Sequence, residues 1–77
     1  MTFQIPIPLY STVEVLPGFE ALGFSAGAQA VILDVYHSPS LAYEVEVVGD
    51  NGQTLHTGGI PAEAVKVVEI YKDPEEE

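Results

Sequence analysis

The chain has 77 residues, 47% of them hydrophobic, and no cysteine, so one small domain must hold together without a disulfide, and thiolate chemistry is excluded. Twelve acids face two lysines and no arginine, a net charge of −10 that disfavours nucleic acid and anionic membrane surfaces and permits a basic protein partner, the alternative being charge that only keeps the chain soluble. The start, Met1-Thr2-Phe3-Gln4, lacks a basic leader, and the longest uncharged run without proline, Ala21–Leu33, is too short to span a bilayer. A soluble, cytoplasmic protein is expected.

From the N-terminus, Ile5-Pro6-Ile7-Pro8-Leu9 reads as an extended arm, because alternate prolines remove the donors that a central strand needs. Its apolar side chains are expected to land on the chain's own barrel, the alternative being a neighbouring subunit in a homo-oligomer. Residues 1–10 are therefore taken as an arm, 11–72 as the barrel and 73–77 as a disordered acidic tail. Thr12–Leu16 alternates as a strand and is followed by a long loop, Pro17–Gly27, in which glycines interrupt any helix. Phe19 and Phe24 in that loop are candidate contacts for a peptide, or else plugs for the barrel end. Further strands are predicted at Ala28–Tyr36, Tyr43–Val48, Gln53–Thr57 and Val65–Tyr71, with "PAEAV" (Pro61–Val65) as a single 3₁₀ turn. Short strands divided by Gly/Pro punctuation read as an all-β barrel or sandwich, and at this length a small five-stranded barrel with one short 3₁₀ turn before the last strand is the economical answer.

Alternation also predicts register. Pairing Tyr36 with Ala42 sets Val35, Leu33 and Val31 against Tyr43, Val45 and Val47 on a buried face. Asp34 then faces Glu44 outside. At Asp50-Asn51-Gly52 a three-residue loop with Gly52 left-handed places Leu55 inside against Val47 and His56 outside against Glu46. Burying the leucine in preference to the histidine favours that choice by about 1.5–3 kcal/mol. The outer face so assembled, Asp34, Glu44, Glu46 and His56, is the candidate partner surface, the alternative being a solvated face that discourages sheet-to-sheet association.

Nothing in the chain frames chemistry. No serine or threonine sits in a nucleophile-elbow setting, and "GFEALG" lacks the Lys-Ser/Thr of a phosphate loop. Carboxylates mounted on strands lack the wrapping loop of a calcium site. Paired acids on a convex face lack the cleft that acid–base catalysis uses. No catalytic residue, metal or cofactor is expected.

The run "GAQAVILDVYHSPSLAYEVEVVGDNGQTLHTGGIPAEAVKVV" resembles an uncharacterised family of small bacterial SH3-like proteins. Its members read Gly-Asp-x-Gly-Thr-Val-Val-x-Val, then Tyr-Glu-Val-Glu-Phe, Asp-Gly, and Leu-Pro before the last strand. The resemblance covers roughly Leu9–Val68, although Gly27-Ala28-Gln29-Ala30 departs from the first motif by losing its acid and second glycine. The matching positions are structural and carry no functional residue across. Some members lie beside toxin-like genes, so the resemblance implies a non-catalytic partner protein of antitoxin or immunity type. The alternative is a small accessory subunit that stabilises an enzyme complex.

Overall fold

A computed structural model describes residues 6–72. Five strands follow one another: β1 (Thr12–Val15), β2 (Gln29–Tyr36), β3 (Ala42–Val48), β4 (Thr54–Pro61) and β5 (Val65–Glu69). They form one antiparallel sheet in the order β4-β3-β2-β1-β5, coiled into a barrel-like shell. One 3₁₀ turn, Ala62–Ala64, precedes β5 as predicted, and a second, Glu20–Leu22, lies in the long loop. The acidic tail and Ile5 lie outside the described residues.

The core is drawn from all five strands. Val13, Val15, Ala30, Ile32, Tyr43, Val45, Ile60 and Val65 are buried, joined by Phe24 from the long loop and Ala64 from the turn before β5. Ile7 of the arm packs on this core, and its backbone N–H donates to the Tyr43 hydroxyl at 2.9 Å, which satisfies the one polar atom of a buried ring. Ile7 thus lands on the chain's own core, whereas Leu9 stays 41% exposed. At the other end of the chain, the Tyr71 N–H donates to the hydroxyl of fully buried Ser11 at 2.9 Å, tying the segment after β5 back to the start of β1.

Three bulges shape the sheet, and each inserts one apolar residue. Register shifts occur at Leu33 between β2 and β3, at Leu55 between β3 and β4, and at Val68 between β5 and β1. A bulge bends its strand and tightens the local right-handed twist, which is how a sheet of so few strands curls around a core.

The bulges correct two expected registers. Between β2 and β3, Tyr36 faces Ala42, Val35 faces Tyr43 and Asp34 faces Glu44, as alternation requires. Beyond Leu33 the pairing moves by one: Ile32 faces Val45 and Ala30 faces Val47, so neither Leu33 nor Val31 takes its expected partner. Ile32 is fully buried and Leu33 is 36% exposed. The pattern "AVIL" is apolar at every position, so it supplies an inward set on either side of the bulge.

The turn into β4 begins as expected. Gly52 has φ of 84°, where a side chain would be strained, and the Gly49 N–H donates to the Gln53 carbonyl across a three-residue loop. Val48 faces Thr54; Leu55 is then extruded and His56, not Leu55, faces Val47. Leu55 is left 59% exposed.

Candidate functional site

The outer face keeps three of the four candidate residues together. Asp34 and Glu44 are direct cross-strand partners, and Glu46 lies two residues along β3 on the same face. Each carboxylate has a local hydrogen bond. The Asp34 carboxylate accepts from the Val35 N–H at 2.8 Å, Glu44 accepts from the Tyr36 hydroxyl at 3.3 Å, and Glu46 accepts from the Thr54 hydroxyl. No cation is set against them: among the described residues the ion pair is Lys66–Glu14, at 4.0 Å, on β5 and β1. Like charges placed opposite each other oppose sheet formation, so this face holds unrelieved negative potential.

Tyr36 is a member of the face that the sequence did not announce. Its phenol is pushed above its ordinary value near 10, by lost hydration first, then by the negative charges of Glu44 and Asp34 and its bond to Glu44. The ring remains 43% exposed, so the desolvation is partial, and the flanking carboxylates act in the same direction. A signal was present: Tyr36 is two residues beyond Asp34 on one strand, and therefore on the same face.

His56 belongs elsewhere. The Leu55 bulge turns it to the opposite face of β4, where its ring meets Phe24 edge-on at 4.9 Å. Burial of the leucine over the histidine failed as a criterion because neither side chain is buried: both Leu55 and His56 are exposed, and Gly58 lies beside the contact of the imidazole with Phe24. A methyl group on Gly58 would stand 3.4 Å from both the Phe24 ring edge and His56 Nε2. Glycine within a strand marks such close approaches. Phe24 is 3% exposed and Phe19 is half-buried against the core.

Next to this cap, an open groove of about 1200 Å³ runs between the long loop and the β3–β4 turn, bordered by Phe24, Ser25, Gln29, Gln53, Leu55 and His56. Asp50 is the one acid along it, so the groove is close to neutral in an otherwise acidic chain. No three His, Cys, Asp or Glu side chains converge in a metal-binding arrangement among the described residues. No helix there is long and apolar enough to cross a membrane.

No curated protein and no solved structure matches this chain. Residues 9–67, well over half of it, match the model of a domain of unknown function, DUF4926. That span contains β1 to β4, the 3₁₀ turns, the Asp34–Glu44–Glu46 face and the Phe24–His56 cap. The chain belongs to the DUF4926 family.

Proposed function

We propose that this protein is a non-catalytic, cytoplasmic binding module for a basic protein, antitoxin- or immunity-like in that it covers and neutralises a positively charged partner. The observation that carries the reading is the face of Asp34, Glu44 and Glu46, which has no lysine within it in a chain of net charge −10. Such a face steers a cationic partner from solution and acts chiefly on the association rate.

Two measurements test it. Partners captured from the native cell should be basic proteins, and a Glu44→Lys/Glu46→Lys variant should bind them with a slower, less salt-sensitive association. An unchanged association rate overturns the role of the face. Single- and double-stranded DNA and RNA should show no binding at micromolar protein in ~0.15 M salt; salt-sensitive micromolar binding would overturn the protein-partner reading.

A further inference from the structure

The two edge strands of the sheet are built differently. β5 carries Lys66 and Glu69, the kind of charge that blunts an edge against unwanted pairing. β4 hydrogen-bonds to β3 alone among the described residues and carries no acid and no lysine along its length. Its ends are blunted by the Leu55 bulge and by Pro61, leaving an intervening open stretch at 56–60. Thr57 and Gly59 within it are exposed. Alternate backbone N–H and C=O groups of such a strand face outward, here with no partner among the described residues, a template for another strand.

The outer face beside this edge is acidic in a specific way. Glu46 faces Thr57 and Glu44 faces Gly59, so the β4 residues between those acids and the edge are small. The Glu44 Oε1 atom lies 3.9 Å from the point where a Gly59 side chain would begin, so its carboxylate overhangs β4. A strand added to β4 would run about 4.8 Å further out, so a lysine or arginine opposite Thr57 or Gly59 reaches back over the glycine to these carboxylates. On the inner side, opposite His56 and Gly58, the same strand would meet the edge of the Phe24–His56 cap, which suits apolar residues.

From this we infer that the outer edge of β4 binds an extended segment of the partner by strand addition, with Lys or Arg at alternate positions and apolar residues between them. The inference rests on the reading that the partner is basic, and it adds where and in what conformation that partner docks. Backbone pairing supplies the affinity and Glu44 and Glu46 select the charge.

The test uses the full chain and three synthetic peptides in low salt: Lys-Val-Lys-Val-Lys-Val-Lys, the same peptide N-methylated on two adjacent central residues, and Glu-Val-Glu-Val-Glu-Val-Glu. N-methylation keeps the charge but blocks both edges of the peptide. The lysine peptide should bind and shift the amide resonances of residues 54–60. The methylated peptide should bind at least ten-fold more weakly, and the glutamate peptide not at all. The Glu44→Gln/Glu46→Gln variant should lose several-fold in affinity for the lysine peptide. Equal binding of the first two peptides overturns strand addition and leaves the basic-partner reading standing. Failure of both lysine peptides to bind overturns both, and equal binding of the glutamate peptide removes the charge selection.

Discussion

In the β2–β3 hairpin the residue extruded by the bulge is Leu33, and in the β3–β4 hairpin it is Leu55. The device is the same, and both leucines are exposed as a result. The consequences differ. At the first site the shift exchanges Leu33 and Val31 for Ile32 and Ala30, one apolar set for another, and the barrel interior is little altered in character. At the second it exchanges a leucine for His56, and the barrel end acquires an imidazole over Phe24 instead of an aliphatic side chain. A bulge in a uniformly apolar strand is chemically quiet, whereas one in a mixed strand changes what the fold presents to its surroundings.

The largest expected effect breaks or confirms the first half of that comparison. Ile32→Ala should cost about 2–5 kcal/mol, because a fully buried side chain leaves a cavity. Leu33→Ala should cost less, about 1 kcal/mol, since Leu33 is extruded from the core and 36% exposed. Denaturant unfolding of the two variants decides it. The reverse order would restore the unbulged register.

The second prediction concerns the room beside His56. Gly58→Val should cost about 1–3 kcal/mol, since branched methyl groups would overlap the Phe24 ring edge and the imidazole. A neutral result would mean that the cap is loosely packed. The third lies one residue from the bulge. His56→Ala should lose about 0.5–1.5 kcal/mol with the aromatic contact, and Leu55→Ser less than about 0.5 kcal/mol. Equal losses would show that the imidazole contributes nothing to closing the barrel end.

The strands, the distal turn and the turn before β5 were legible because local chemistry specifies each. Val13 and Val15 alternate with polar neighbours, Gly52 permits the left-handed turn, and Pro61 starts the short 3₁₀ segment. The extension of β4 to Pro61 was not, because Gly58-Gly59 reads as punctuation until their close neighbours are seen. Nor were the bulges. An extra residue costs nothing in pattern when Ile32 and Leu33 are equally apolar, and the Leu55 shift brings His56 onto Phe24, which is more than thirty positions away in sequence. The same long-range dependence split the candidate site. Asp34 and Glu44 are brought together by a register set within a few residues of the connecting turn, but His56 is placed by a contact that only the folded loop makes.

The smallest effect probes the end of the first hairpin where the register is undisturbed. There Tyr36 sits beside Glu44 and Asp34, and its folded-state pKa is raised above the ordinary value near 10. A raised pKa means that the folded chain holds the phenolic proton more tightly than the unfolded chain does. The resulting stabilisation is complete below pH ~10 and is lost as pH rises through the folded-state value. Tyr36→Phe should therefore change stability little at pH 7, where the phenol is protonated in both states. It should also flatten the decline in stability above pH 10. An NMR titration of the tyrosine ring carbons provides the direct reading. The Tyr36 resonance should move above pH 10 in the natural chain, and closer to pH 10 in the Glu44→Gln variant, which keeps a hydrogen-bond acceptor but loses the charge. If Tyr36 titrates at or below 10, the phenol does not feel the carboxylates. The acidic face would then be dispersed in solvent, and the Asp34–Glu44 pairing at the undisturbed end of the hairpin would lose its electrostatic consequence.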